Sequence, residues 1–229
     1  MEYAAIVLAA GQGKRMKAGM NKQLIDLNGI PLIVHSLRLF EEDAACKAIW
    51  LVVSEPERQT MEKLVAEYRI DKVKGLVNGG AERQDSVYAG LKGMEEAEIV
   101  LIHDGARPFV AKPILTKLAY EAAQSGAAIA AVPVKDTVKL ANKNSVARTV
   151  ERKNLWAAQT PQAFQYELVL AAHEDAKKHG FLGTDDASLV ERLDKQVTIV
   201  ESDYLNIKLT TEEDLLFAET ILKKRENQL

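Results

Sequence analysis

Five short apolar runs, at residues 4–9, 48–53, 73–77, 99–103 and 127–134, alternate with four stretches of helical spacing, at 32–40, 57–68, 85–94 and 113–124. Runs that are apolar on both faces need cover on both sides, and helices carrying one apolar stripe supply it. The alternation therefore predicts an α/β fold with a mostly parallel central sheet and helices on both faces. In such sheets ligands sit beyond the carboxyl ends of the strands. At 229 residues the chain can build one sizeable core, so a single domain over 1–229 is expected.

The first run leads straight into Ala9-Ala10-Gly11-Gln12-Gly13-Lys14-Arg15-Met16, with Lys22-Gln23 close behind. Glycine lets backbone N–H groups approach a phosphate closely, and Arg15 and Lys22 bring positive charge to the same place. The loop does not fit the P-loop pattern G-x-x-x-x-G-K-[ST]. It also fails the dinucleotide pattern G-x-G-x-x-G/A, because Met16 stands where a small residue is needed. A G-x-G pair by itself is as often a tight turn; the cations favour a polyphosphate.

After residue 134 the pattern changes. Residues 135–140 and 145–152 read as two strands joined by the turn-prone Ala141-Asn142-Lys143-Asn144. A lone hairpin is marginal without a partner surface, so residues 135–155 read as a dimerisation arm, the alternative being a hairpin folded back on its own domain. Helices are expected at 166–179 and 185–193, a strand at 197–201, and a last helix opened by the capping box Thr210-Thr211-Glu212-Glu213.

Net charge of −3 gives no global field for nucleic acid, so anion binding has to come from local clusters. A single Cys46 excludes an internal disulfide, and four scattered His leave no zinc-ligand spacing. No stretch is long and apolar enough for a membrane span, and the apolar start lacks a basic n-region; a soluble, cytoplasmic protein is expected.

Several polar residues fall at the loop ends of this pattern. His103-Asp104 directly follows the fourth run, on the same side as the glycine loop. An Asp there is either a turn former or, facing a polyphosphate, a ligand for Mg²⁺; His103 reads as structural. In Asn78-Gly79-Gly80-Ala81-Glu82-Arg83-Gln84-Asp85-Ser86, Asp85 or Ser86 can cap a helix, while the paired glycines with Arg83 suit a base or ribose contact. Thr184-Asp185-Asp186-Ala187-Ser188 fits a helix start. Lys208, with Asp203 as its nearest acid in sequence, is a candidate second cation for the site.

Taken in order, these segments resemble the 2-C-methyl-D-erythritol 4-phosphate cytidylyltransferases of the non-mevalonate isoprenoid pathway. The likeness runs through the glycine loop, Lys22-Gln23, Gly79-Gly80 with residues 83–87, and residues 103–108. It continues through Asp136-Thr137, residues 152–156, Gln159-Thr160-Pro161-Gln162, residues 184–188 and Asn206-Ile207-Lys208. Departures are small: Gly105, Ala81 and Ser202 replace residues common at those places, and none removes a charged or hydroxyl group from the candidate site residues.

The resemblance implies a Rossmann-like, GT-A-like nucleotidyltransferase with a protruding β-arm. Arg15, Lys22 and Lys208 would neutralise the triphosphate, with Arg152 also in the catalytic set. The backbone near Ala10 and Gly80, with Ser86, would recognise cytosine and ribose; Gly11, Gly13 and Asp104 would also bind the nucleotide, and Asp104 would hold Mg²⁺. Arg107, Thr137, Arg152, Thr160 and Thr184 would grip the sugar-alcohol phosphate, some across a homodimer formed through the arm. CTP and a sugar-alcohol phosphate are the implied partners. Rivals are a ribitol-5-phosphate cytidylyltransferase, a non-catalytic CTP-binding dimer, and a nicotinamide-dependent dehydrogenase, against which the missing third glycine counts.

Overall fold

A computed structural model of the chain describes residues 1–11, 22–95 and 97–226, with side chains as far as Lys224. Gly13 and Arg15, two of the expected site residues, lie outside the described residues. The chain runs β1 (Tyr3–Leu8), a short ribbon of β2 (Asp26–Leu27) and β3 (Ile30–Pro31), α1 (Leu32–Glu41) and β4 (Cys46–Val53). It continues through α2 (Arg58–Glu67), β5 (Val73–Asn78), α3 (Arg83–Gly93), β6 (Ile99–Asp104), α4 (Lys112–Ser125) and β7 (Ala127–Pro133). The hairpin β8 (Val138–Asn142) and β9 (Ser145–Val150) comes next, then β10 (Trp156–Gln165) and α5 (Tyr166–Lys178). The chain closes with α6 (Asp186–Arg192), β11 (Thr198–Glu201) and α7 (Glu212–Glu226).

Seven strands form one sheet in the order β11-β7-β10-β6-β1-β4-β5. All neighbours are parallel except β10, which runs against both β6 and β7. The mostly parallel sheet is thus as expected, with one strand that the apolar pattern did not disclose. β1 shows why the sheet sits where it does: all six of its residues are buried, and they alternate between two cores. Ala5 and Val7 join Ile33, Leu37 and Phe40 of α1, Met61 of α2 and Leu115 and Leu118 of α4. Ala4, Ile6 and Leu8 join Val87 and Leu91 of α3, Val169 and Ala172 of α5 and Leu189 of α6. Burying both faces of a parallel strand accounts for its unbroken apolar run.

A smaller third core packs Ala218 and Ile221 of α7 against Leu27, Phe109 and Leu209, which brings the segment before α7 back to the carboxyl end of β6. At the start of α7 the acid that accepts the backbone N–H groups of Thr210 and Thr211 is Asp214, at 2.7 and 2.9 Å, one residue beyond the expected Glu213. Among the described residues β8 and β9 pair only with each other, and nearly every residue in them is exposed, including Leu140 and Val146. Among the described residues no helix is long and apolar enough to cross a membrane. Cys46 is buried at the head of β4.

Candidate active site

Leu8 and Asp104 are ladder partners at the ends of β1 and β6, so the start of the glycine loop and the Asp104 carboxylate emerge side by side. A cavity of about 400 Å³ opens there. Its wall carries seven of the expected site residues: Ala10, Gly11, Lys22, Gly80, Ser86, Asp104 and Lys208. The Gly79-Gly80 turn leans directly on the glycine loop. A Cβ at Gly79 would stand 2.5 Å from the Ala10 methyl and 2.8 Å from Ser86 Oγ, so close approach is the reason for glycine here. Helix α3 begins from Glu82, whose N–H donates to Asp85 Oδ2 at 3.1 Å; Asp85 reaches back to it. Ser86 is no cap: its hydroxyl accepts from Gly80 N–H at 3.1 Å and donates to the Glu82 carbonyl, fixing the turn that faces the cavity.

Asp104 is the electrostatic centre. Arg83 Nε donates to its Oδ1 at 3.1 Å and Lys208 Nζ to its Oδ2 at 2.5 Å. Burial opposes its charge, but the two cations outweigh that and hold the carboxyl well below the usual carboxylate range. Lys208, read in the sequence as a candidate second cation for the site, pairs with Asp104 and not with Asp203, its nearest acid in sequence. Asp203 is occupied by the backbone N–H groups of Leu205 and Asn206, at 2.8 and 3.1 Å.

Lys208 is held in place by its neighbours. Asn206, fully buried, donates from Nδ2 to Gln159 Oε1 and to the Thr160 carbonyl at 2.9 and 3.0 Å, and Leu209 N–H donates to the Ala106 carbonyl. Arg107 is half-buried behind this segment, where its Nη1 donates to the Asn206 carbonyl at 2.6 Å, so its guanidinium braces the Lys208 loop rather than lining the cavity.

Thr160 is another residue that the structure turns inward. Its hydroxyl accepts from Asp104 N–H at 3.0 Å and sits 3.2 Å from His103 Nδ1. His103 Nε2 lies 3.0 Å from the Arg107 carbonyl, which can only accept, so Nε2 carries the proton and Nδ1 accepts from Thr160. Burial pushes the His103 pKa down to about 4. Both ring nitrogens are used, which makes His103 structural, as its position after a buried strand suggested.

Thr184 is exposed just ahead of α6, outside the cavity wall. Asp185 caps that helix, accepting from Ser188 N–H at 3.0 Å. Thr137 and Arg152 lie exposed at the base of the arm, also off the wall.

Residues beyond those expected complete the arrangement. Gln159 and Gln162, read in the sequence only as part of a run, are buried struts on β10. Gln162 donates to Asp185 Oδ2 at 2.8 Å and accepts from Ala187 N–H at 3.1 Å. Arg83, noticed as a cation near the turn, links Asp104 to Asp186. The glycine pair beside Arg83 was the available signal for it; Gln159 and Gln162 gave none.

Among the described residues no three His, Cys, Asp or Glu gather as a metal cage. Asp104 alone at the strand ends, each oxygen accepting one hydrogen bond and keeping a lone pair, fits a divalent ion whose shell is completed by phosphate oxygens and water. Mg²⁺ takes that form at nucleotide sites.

The family model for 2-C-methyl-D-erythritol 4-phosphate cytidylyltransferase matches residues 3–224. A protein of that name from Shouchella clausii (strain KSM-K16) is 97% identical over 229 residues, covering 100% of both chains. One from Geobacillus kaustophilus (strain HTA426) is 60% identical over 225 residues, 98% of this chain and 99% of the other. Among solved structures, the 4-diphosphocytidyl-2C-methyl-D-erythritol synthase of Anaerococcus prevotii superposes with a TM-score of 0.85 at 32% identity, covering 97% of this chain and 96% of that one. The 2-C-methyl-D-erythritol 4-phosphate cytidylyltransferase of Thermus thermophilus gives 0.79 at 30% identity over 97% and 100% of the two chains. With the sheet, the strand-end cavity and this agreement along nearly its whole length, the chain belongs to the 2-C-methyl-D-erythritol 4-phosphate cytidylyltransferase family.

Proposed function

We infer that the protein joins CTP and 2-C-methyl-D-erythritol 4-phosphate into 4-diphosphocytidyl-2-C-methyl-D-erythritol and releases pyrophosphate. The observation that carries this reading is the cavity at the ends of β1 and β6, where Arg83 and Lys208 converge on one carboxylate and Lys22 shares the wall, in a chain of this family.

An oxygen of the sugar-alcohol phosphate attacks the α-phosphorus of CTP; a P–O bond forms to that oxygen, and the bond to the β-phosphate breaks, its electron pair leaving with pyrophosphate. A phosphate monoester has a second pKa of about 6 and is largely dianionic at neutral pH, so no general base is required. The occupied nitrogens of buried His103 agree with that. The difficulty is repulsion between two polyanions, and positioned cations are the remedy. Lys22 and Lys208 stand on the cavity wall for the triphosphate, and Arg15 belongs to the same set through the family resemblance. Asp104 is the residue that would hold Mg²⁺, and such an ion, when bound, neutralises phosphate charge. Ser86 and the backbone at Ala10 and Gly80 line the part of the wall suited to a nucleoside. Thr184, Thr137 and Arg152 serve the second substrate.

The exposed arm, with apolar Leu140 and Val146 outward and no strand partner beyond itself among the described residues, supports a homodimer formed through residues 135–155. Such a dimer would let Thr137 and Arg152 of one protomer reach the cavity of the other. Highly charged substrates of this kind do not cross an apolar bilayer unaided, so the reading puts the protein in the cytoplasm.

The test incubates the purified protein with CTP and Mg²⁺ plus either 2-C-methyl-D-erythritol 4-phosphate or ribitol 5-phosphate, and follows pyrophosphate. Release with the first substrate alone is expected. Release with ribitol 5-phosphate at comparable kcat/KM, or with neither, would reject the assignment.

A further inference from the structure

Asp186 is an acid with no path to a substrate. It is the first residue of α6 and is 1% exposed. Asp185 already caps the helix, so capping leaves the second carboxylate unexplained. Asp186 Oδ2 accepts from Arg83 Nη1 at 2.8 Å, and its Oδ1 accepts from His173 Nε2 at 3.1 Å. The same guanidinium turns its Nε to Asp104 Oδ1 at 3.1 Å. One planar fork thus spans two carboxylates, one buried and one on the cavity wall.

The two cations of Asp104 differ in their freedom. Arg83 cannot swing to an incoming phosphate without stranding a buried charge at Asp186, and an uncompensated buried charge is strongly unfavourable. Lys208, its side chain 35% exposed, has no such second tie among the described residues. Arg83 is therefore the fixed counter-ion of Asp104, and Lys208 the exchangeable one.

We propose that Asp186 is a positioning residue for the nucleotide half of the site, acting through Arg83 to hold the Asp104 carboxylate in one orientation toward the triphosphate. The proposal rests on the cytidylyltransferase reading. His173 supports Asp186 from the far side, stacked at 6.4 Å on Tyr88 of α3.

Asp186→Asn keeps the shape and removes the charge. Turnover and CTP affinity by calorimetry with Mg²⁺ present should each fall by about 10-fold or more, the usual loss when the partner of a ligand-holding group is removed. KM for the sugar-alcohol phosphate should stay within about twofold. In an Arg83→Met background the same substitution should change turnover and CTP affinity by less than about twofold, because the link is already cut. Equal losses in both backgrounds, or wild-type turnover and affinity in Asp186→Asn, overturn the proposal. If Asp186→Asn does not fold, Arg83→Lys reads the same link, since one ammonium cannot span both carboxylates. Wild-type turnover and CTP affinity in a folded Arg83→Lys protein overturn it as well. A wild type that binds CTP yet releases no pyrophosphate defeats the cytidylyltransferase reading instead, and the calorimetric cycle still decides the role of Asp186.

Discussion

Lys208 carries its ammonium to 2.5 Å from Asp104 Oδ2, on a wall shared with Lys22 and Arg83. In the proposed reaction charge builds on the α-phosphate, where a preorganised donor is worth most. Lys208→Ala is expected to lower turnover by about 10²-fold or more in steady-state kinetics. Its melting temperature should fall as well, because the buried Asp104 carboxylate loses one of the two cations that hold it charged. Near-normal turnover would remove Lys208 from the mechanism. His103 contributes to stability. Burial lowers its pKa from 6.5 to about 4. Between those values the unfolded chain takes up a proton that the folded one does not. Its stabilising effect is therefore complete above pH 6.5 and lost as pH falls toward 4. His35, whose pKa burial also lowers, acts in the same sense. Asp104, depressed from its ordinary 3.8, matters only below that window. The melting temperature of the wild type should drop more steeply from pH 6.5 to about 4.5 than that of His103→Gln; parallel slopes would count against a buried neutral imidazole. Chemistry local in sequence was legible at this scale: Asp104 after its apolar run, the paired glycines, the lysine of Asn206-Ile207-Lys208. Arg83 and Asp186, 103 residues apart, were not, since pairing at that range is decided by the fold alone.

β10 is the element on which the site depends and the one the sequence concealed. Its run Trp156–Gln165 holds three glutamines, a threonine and a proline where a buried strand should be apolar. The structure resolves the conflict locally: the ladder with β7 breaks between Ala158 and Gln162, so Pro161 sits where no ladder bond is asked of it. Stepping out of the ladder with β7 frees Gln159 and Thr160, and Gln162 resumes it, so that the three side chains serve three segments. Gln159 ties the Lys208 loop, Thr160 the end of β6, and Gln162 the start of α6. Helices α1 to α5, by contrast, announced themselves by apolar spacing, because each buries one stripe against a strand pattern already in view. Gln162→Ala would leave the Ala187 N–H without its acceptor in a site only 1% exposed, at a cost of about 1–3 kcal/mol. Loosening the start of α6 displaces Thr184, so KM for the sugar-alcohol phosphate should rise while CTP affinity holds. Denaturation and separate KM measurements check both; an equal loss toward both substrates would argue against so local a role.

At the scale of the whole molecule the open question is which chain completes which site. Residues at the ends of β1, β5 and β6 and from the segment after β11 meet in one cavity, whereas Thr137 and Arg152 stand exposed on the arm and do not line it. An arm that among the described residues pairs only with itself, and exposes 49% of Leu140 and 63% of Val146, is what the proposed dimer would bury. In a two-fold dimer each arm would then serve the opposite cavity, and every site would combine Lys208 of one protomer with Arg152 of the other. Lys208→Ala and Arg152→Ala proteins should each be nearly inactive alone. Mixed in equal amounts and allowed to exchange subunits, half the dimers would carry one variant of each kind. In those dimers one site is doubly damaged and the other intact, so activity should recover to about a quarter of the wild type. If both residues served the cavity of their own chain, every site in the mixture would carry one lesion and no activity would return. Light scattering of the mixture, alongside pyrophosphate release, separates failure to dimerise from failure to share the site: a dimer without recovery refutes the shared site, and a monomer refutes the arm as the interface.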